Sequence, residues 1–222
     1  RELDTILDES LKTVGEFFGV QRAYIYRYME DYSKLLNTNE WHSQYEGNID
    51  GKKPMYQSSA IPWWSNQILN DQIIMIEKLE ELLPHARMEY QALKSQHIKS
   101  ILCVPIRSGA KVLGYFGFDS LLESRVYSES EIDNLRVVAN LLAEVFQKHD
   151  RERQMQKQAK LQEIFSRMAM KYINLNSEDL EEAIQESLAE LATFSEADRA
   201  YIFDYDWDSR DCINSNEWTA QG

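Results

Sequence analysis

The chain repeats part of itself at a fixed distance, and this repeat limits the possible folds more than any other feature. The segment Arg22–Tyr26 recurs as Arg199–Phe203, and Asn37–Trp41 recurs as Asn214–Trp218, each 177 positions later and without a gap. From the first arginine to the last tryptophan the two copies agree at about half of the positions. A repeat of this kind is one structural unit used twice, so we expect two domains of the same type.

The repeat also predicts where the domains begin and end. Position 1 aligns with position 178, inside a helix that precedes the repeated strands. We therefore expect a complete domain over 1–147, a helical connector over 148–176, and the N-terminal part of a second domain over 177–222. On this interpretation the chain is a fragment, and an effector domain lies outside it. A helix with two strands is marginally stable alone, so we expect another chain to support the truncated second domain, through a helix bundle or an exchanged sheet edge.

Hydrophobic periodicity predicts an α+β fold. The predicted elements are a helix over 2–19, strands over 22–28 and 35–41, a loop over 46–62, a helix over 63–70, a strand over 73–76, a broken helix over 78–96, strands over 100–106 and 111–118, and a helix from about 129 to about 173. Ser128 and Glu131 form a capping box that opens the last helix. This order fits an antiparallel sheet with helices on both faces, not a doubly wound parallel sheet.

The composition excludes several classes of partner. The 24 Lys and Arg residues against 37 Asp and Glu residues give a net charge of −13. Nucleic acids and anionic membranes repel such a chain, so neither is expected as a partner. No apolar run approaches the ~20 residues of a membrane-spanning helix, and membrane insertion is not expected. The two cysteines cannot form a disulfide framework and favour a reducing, cytoplasmic location.

The long helix carries an interrupted apolar stripe. Between His149 and Lys160 the sequence is almost entirely polar, and a lone helix of that composition would be marginal in water. Pairing with a second copy would support it, so we expect a homodimer; the alternative is a single solvated bridging helix. The candidate residues for the dimer helix are Leu135, Val138, Leu142, Val145, Leu161, Phe165 and Met168.

Several segments together resemble the GAF domain, a small sensory module of signalling proteins. The similarity lies in Arg22–Tyr26, Asn39–Trp41, Ile61–Trp63, Gln96–Ile106, Val112–Asp119 and Tyr127–Ile132. The chain looks most like the GAF domains found in tandem within bacterial sensor histidine kinases and diguanylate cyclase-type proteins. The resemblance implies a two-faced sheet. Terminal helices cover one face and commonly build a dimer, and the excursion over 41–98 covers a small-molecule pocket on the other.

Aromatic residues near this expected pocket are the candidates for ligand contact. They are Trp41, Trp63, Trp64, Tyr24, Tyr26, Phe116 and Phe118. Aromatic rings could stack on a flat ligand. Core packing is the alternative, and Trp41 favours it because Trp218 repeats it in the second copy. Cys103 lies mid-strand between apolar residues, which indicates a buried and unreactive thiol.

The resemblance also bears on cofactors. Bilin-binding GAF domains attach their pigment through a cysteine in or near the excursion, and none lies between Trp41 and Ser100; bilins are therefore disfavoured. Haem is disfavoured as well. Of the four histidines, His97 would be the best candidate to bind the haem iron. No metal is expected, because the four histidines lack i, i+4 spacing and no Cys-x-x-Cys occurs. The ligand is unknown, no cofactor is expected, and the Asp-Glu signature of cyclic-nucleotide-binding GAF domains is missing.

These observations predict a regulatory module and not an enzyme. The expected function is to sense a small molecule, to dimerise, and to pass the ligand state through the helical connector to an effector of a bacterial signal-transduction protein. One alternative is a purely structural dimerisation module without a ligand. A remote alternative is a thiol-based redox enzyme similar to the methionine sulfoxide reductases of this fold, acting through Cys103. No nucleotide-binding loop or catalytic motif is present in the sequence.

Overall fold

The computed structural model describes residues 2–43 and 55–220, and the chain divides into two compact units, Arg1–Lys148 and His149–Gly222. The helices are α1 (Glu2–Phe18), α2 (Pro62–Leu69), α3 (Arg87–Ser95), α4 (Glu129–Ile173) and α5 (Leu180–Ser195). The strands are β1 (Arg22–Tyr28), β2 (Lys34–His42), β3 (Met55–Gln57), β4 (Ile74–Ile76), β5 (Ser100–Ser108), β6 (Lys111–Ser120), β7 (Arg199–Asp206) and β8 (Asp211–Thr219).

The first unit is built on one antiparallel sheet. Its strand order is β3-β2-β1-β6-β5-β4, so the first strand and the last strand of the unit lie side by side at the centre. Their pairing runs from Arg22 opposite Asp119 to Arg27 opposite Gly114. The predicted α+β fold with an antiparallel sheet between helices is confirmed.

Alternation along the strands separates two hydrophobic clusters, because successive side chains point to opposite faces of a sheet. Ala23 and Ile25 of β1 belong to the cluster that includes residues of α1 and α4. Tyr24 and Tyr26 of the same strand belong to the cluster that includes residues of the excursion. The sheet therefore has a helical side and an excursion side, and they are chemically different.

The predicted helix from about 129 to about 173 is confirmed as α4, which has 45 residues. It begins at the predicted capping box, in which the Ser128 N–H and Oγ–H both donate to Glu131 Oε2 at 2.8 Å. Among the described residues, no helix combines the length and apolar character that crossing a bilayer requires.

The apolar stripe of α4 differs from the prediction at its first half. Leu135 and Leu142 are buried in the helical-side core of their own unit, and Val138 packs against it, so these residues are not free for a partner helix. The outward stripe consists of the predicted Val145 together with Val137 and Leu141, which were not predicted. The sequence pattern could not separate the two stripes because both recur at helical spacing. Of the later candidates, Phe165 is exposed, whereas Leu161 and Met168 are half-buried.

Several boundaries in the excursion also differ. The predicted broken helix over 78–96 consists of a 3₁₀ turn over Leu79–Leu82 and α3, with Pro84 between them. The short strand β3 was not predicted; it pairs with β2 at the sheet edge. Of the predicted loop over 46–62, residues 46–54 lie outside the described part of the chain.

The second unit contains the repeated segment as a helix and a hairpin. β7 pairs with β8 from Arg199 opposite Thr219, with a register shift between Ile202 and Phe203. The β1–β2 pair has its shift between Ile25 and Tyr26, which is the same place after the 177-residue offset. The two segments thus share a local structure. That residues 177–222 begin a second complete domain stays a prediction.

Gly114 provides a test of the central β1–β6 pair. A Cβ at this position would lie 1.9 Å from the carbonyl oxygen of Tyr26 and 2.9 Å from Cα of Arg27. Because both are backbone atoms, neither can move without disturbing the strand pairing. We expect Gly114→Ala to lower the free energy of unfolding by about 3 kcal/mol, measured by urea denaturation. Lys111→Ala, at an exposed position of the same strand, should change it little; equal effects would contradict the close approach.

Candidate functional site

A small cavity lies on the excursion side of the sheet, with a volume of about 60 Å³. This is several times the 10–15 Å³ that one water molecule needs. We call it the aromatic cavity. Its lining consists of Arg22, Tyr24, Tyr26, Tyr56, Ile61, Trp64, Glu89, Ala92, Leu93, Gln96, Tyr115 and Asp119.

The strands supply the floor of the cavity through their two-residue period. β1 contributes every second residue from one face, namely Arg22, Tyr24 and Tyr26. β6 contributes Tyr115 and Asp119, which also share a face of their strand. Between the last two, Gly117 leaves room for its neighbours, since a Cβ there would lie 2.5 Å from Cys103 Sγ. The walls come from β3, α2 and α3 of the excursion.

A buried charge cluster occupies one end of the cavity. The Arg22 guanidinium forms ion pairs with Glu40 Oε1 at 2.7 Å and with Asp119 Oδ2 at 3.1 Å. It also donates to Gln96 Oε1 on the loop after α3 at 3.0 Å. His42 Nε2 lies 2.8 Å from the same glutamate oxygen. A buried charge is costly unless it is paired, so this cluster ties three strands and the excursion to one arginine.

Asp119 is an unusual carboxyl within this cluster. Burial, the largest cause, raises its pKa from 3.8 to about 6, although the Arg22 charge and the hydrogen bond from Tyr24 favour the ionised form. The Tyr24 hydroxyl donates to Asp119 Oδ1 at 2.7 Å. The side chain is therefore able to change its protonation state close to neutral pH.

The opposite wall contributes a second buried acid and an indole. Glu89 on α3 is only 4% exposed, and its Oε1 accepts the backbone N–H of Trp63 at 3.0 Å, in the first turn of α2. Trp64 is 5% exposed, and its Nε1 is buried without a hydrogen-bond partner among the described residues. A buried donor without a partner is uncommon in native proteins.

Aromatic rings form another part of the cavity surface, beside Ile61, Ala92 and Leu93. Tyr26 and Tyr115 are stacked with ring centroids 5.1 Å apart. Tyr56 lies 6.0 Å from the first ring and Trp64 lies 5.9 Å from the second. Burial raises the pKa of Tyr24 and Tyr115 well above the usual 10, so their hydroxyls stay protonated and neutral.

The structure brings together some of the predicted ligand candidates and separates others. Tyr24, Tyr26 and Trp64 line the aromatic cavity, and Trp63 is partly buried against the excursion-side core. Three differ from the prediction and lie on the helical side, namely Trp41, Phe116 and Phe118. The reason is strand alternation, which turns both phenylalanines away from Tyr115 and Asp119. Trp41 packs on α1, where a Cβ on Gly15 would lie 2.3 Å from its ring.

Sequence reasoning missed most of the polar lining. The same alternation that assigns Tyr24 and Tyr26 to one face also assigns Arg22 to it, so this residue had a usable signal. Asp119 and Tyr115 had the same signal on β6. Glu89 and Gln96 had none, because the excursion is irregular and its contacts with the sheet depend on the tertiary fold.

Comparison with known proteins identifies a family. A sequence profile of the GAF domain matches residues 2–146. The methanogenesis regulatory histidine kinase FilI of Methanothrix harundinacea (strain 6Ac) is 30% identical over 152 residues, which are 65% of this chain and 16% of that protein. The chain thus spans a small part of this curated relative.

Solved structures of the same fold contain bilins. A far-red absorbing domain with bound biliverdin IXα has a TM-score of 0.55 and 22% identity, and the match covers 67% of this chain and 91% of that one. The phycocyanobilin-bound GAF domain of a cyanobacterial phytochrome has a TM-score of 0.58 and 16% identity, with 68% and 88% covered. At these identities the likeness shows the fold.

These structures correct the cofactor prediction. The expectation of no cofactor, with bilins disfavoured, is wrong, because domains of this fold hold biliverdin and phycocyanobilin. It rested on the lack of a cysteine in the excursion, which bears on covalent attachment alone, whereas contacts to a pigment need no thiol. The aromatic cavity of about 60 Å³ would have to widen to hold a tetrapyrrole, since pockets for drug-sized ligands have about 300–1,000 Å³.

The raised pKa of Asp119 predicts a pH-dependent stability. Its folded pKa of about 6 exceeds the ordinary 3.8, so the folded state keeps the proton to higher pH than the unfolded state does. The stabilisation from this proton is complete below about pH 4 and is lost as the pH rises through about 6. We expect the free energy of unfolding of Asp119→Asn, measured by urea denaturation, not to decrease over this pH range. Asp133→Asn, which changes an exposed acid, should keep the wild-type profile; a fall of equal size in Asp119→Asn would contradict the assignment.

Proposed function

The chain belongs to the GAF domain family, and from this premise we propose that it senses a small molecule in the aromatic cavity and passes the ligand state along α4 to an effector. The proposal includes dimerisation, assigns no catalysis to the chain, and takes residues 1–147, 148–176 and 177–222 as domain, connector and start of a second domain.

The observation that carries the proposal is the composition of the aromatic cavity. It is concave, five of its twelve lining residues are aromatic, and the charged residues Arg22, Asp119 and Glu89 reach it from separate elements. This combination of apolar surface with a small number of placed polar groups is typical of ligand sites. The similarity to a regulatory histidine kinase supports a role in signalling.

The fold offers a physical route from the cavity to α4. β1 and β6 carry cavity residues on one face, and on the other they carry Ile25, Phe116 and Phe118, which share a core with α4 residues such as Leu135 and Phe146. A shift of either strand on ligand binding would therefore change the packing beneath α4. Regulation requires that the ligand bind two arrangements of this packing with different affinity.

The two alternatives from the sequence have less support. A structural module without a ligand does not account for the buried Trp64 N–H or for two acids beside a cavity. A thiol-based enzyme would need a reactive Cys103, yet this side chain is fully buried. Burial raises the pKa of its thiol well above 9, which opposes formation of the thiolate nucleophile.

Blocking the cavity tests the sensing proposal. Ala92 is an exposed residue of the cavity lining, so Ala92→Trp should block the cavity, whereas Gln91→Trp changes an exposed neighbour that does not line it. We expect native mass spectrometry to detect a bound compound, or a metabolite screen by thermal shift to find one. That compound should stabilise the wild type and Gln91→Trp but not Ala92→Trp. A ligand at 100 times its dissociation constant stabilises by about 2.7 kcal/mol.

An absorption spectrum of the same sample would reveal a pigment. Sensing at this site is contradicted if no compound binds, or if hits bind Ala92→Trp and Gln91→Trp equally. The first of these results would favour the structural dimerisation module.

The outward stripe of α4 supports the dimer. Val137, Leu141 and Val145 recur every four residues and are 58%, 57% and 38% exposed. An exposed apolar stripe at this spacing matches the seam of a pair of helices. A second copy of the same helix presents a stripe of the same kind, so the proposed partner is another copy of this chain.

A charge on this stripe should break the dimer. We expect the wild type to sediment as a dimer and the double variant Val137→Glu/Leu141→Glu to sediment as a monomer, because the dimer would bury two carboxylates per chain without partners. Asn140→Glu adds charge beside the stripe and should leave the dimer intact. A monomeric wild type, or a dimer of the double variant, contradicts this interface.

A further inference from the structure

We propose that the aromatic cavity takes a small organic cation that carries a hydrogen-bond acceptor near its charge, a class that includes amino alcohols and betaines. The inference rests on the proposed function, because it names the ligand chemistry of the same site.

The ring surfaces are the first reason. Tyr26, Tyr56, Tyr115 and Trp64 form a continuous wall, with neighbouring centroids 5.1–6.0 Å apart. The face of each ring carries partial negative charge, so a desolvated cation is attracted to it. Tyr26 and Tyr115 cover one face of each other by stacking, so the proposed ammonium group lies against the ring faces that this stack leaves open.

The charges around the cavity are the second reason. The lining includes one cation, Arg22, and two acids, Glu89 and Asp119. The arginine is already paired with Glu40 and Asp119, so an anionic ligand would have to displace a buried carboxylate and face Glu89 as well. A cation instead gains a counter-ion, since Glu89 has acceptor capacity beyond its bond to the Trp63 N–H.

The unpartnered indole N–H is the third reason. Trp64 lines the cavity beside the rings, and its Nε1 is a buried donor without a partner among the described residues. A simple alkylammonium ion would leave it unsatisfied. A hydroxyl or carboxylate oxygen close to the ammonium group would accept this hydrogen bond while the cation lies against the rings and Glu89.

Calorimetric titration of the full chain with matched probes tests this chemistry. The probes are choline, its uncharged carbon analogue 3,3-dimethylbutan-1-ol, and propionate as a small anion. We expect choline to bind at least about tenfold more tightly than its neutral analogue, because only the charge differs. Propionate should not bind.

Two variants locate the contacts. Glu89→Gln removes the charge but keeps an acceptor for the Trp63 N–H, and it should weaken choline binding by about tenfold or more. Glu81→Gln removes an exposed charge from the same excursion and should not change it. Trp64→Phe keeps a ring and removes the N–H, and it should weaken choline more than tetramethylammonium, which has no acceptor.

The outcomes separate this inference from the proposed function. The cation class is overturned if the neutral analogue binds as tightly as choline, if Glu89→Gln matches wild type, or if no ammonium probe binds at about 1 mM. In each of these cases the sensing proposal is still supported if another compound binds Gln91→Trp but not Ala92→Trp. If no compound of any class distinguishes those two variants, the proposed function fails as well. Thermal unfolding of every variant confirms that it is folded.

Discussion

The pairing of β1 with β6 at the centre of the sheet is the constraint on which the rest of the first unit depends. It joins the first and last strands of the unit, almost a hundred positions apart, as in the pair Arg22 and Asp119. Gly114 allows the strands to approach closely. Once this pair is set, alternation directs Tyr24 and Tyr115 to the excursion and Ile25 to the helices. Two cores with different chemistry follow from a single register.

The buried arginine gives this centre a second function. Arg22 reaches across to Glu40 on β2 and Asp119 on β6, and also to Gln96 beyond α3. An unpaired charge at this depth would be strongly destabilising, so the three strands must be assembled for the charge of Arg22 to be compensated, and the excursion adds one neutral acceptor, Gln96. The same cluster forms one end of the aromatic cavity, and any ligand there would act on groups that also hold the fold together.

Comparison of the two copies of the repeat shows which parts of this charge cluster belong to the hairpin and which are specific to the cavity. In the second unit Arg199 donates to Glu217 and Asn214 donates to the same carboxylate, as Asn37 does to Glu40 in the first unit. The arginine–glutamate–asparagine network is therefore a local feature of the hairpin with its bulge. Asp119, Glu89 and Trp64 come from other elements, and they make the first unit's site chemically specific.

The sequence alone determined the repeat, because it is a direct comparison of residues 177 positions apart. Local patterns determined most of the elements and both ends of α4 with its capping box, because these depend on neighbours within a few residues, but they missed β3. The same patterns placed Tyr24, Tyr26 and Trp64 near the cavity but put Phe116 and Phe118 on the wrong face. Only the tertiary structure decided which face of the sheet these two rings occupy. It also decided which apolar stripe of α4 points outward and how closely Glu89 approaches the sheet. Each depends on contacts between distant positions, where packing and charge pairing outweigh local preference.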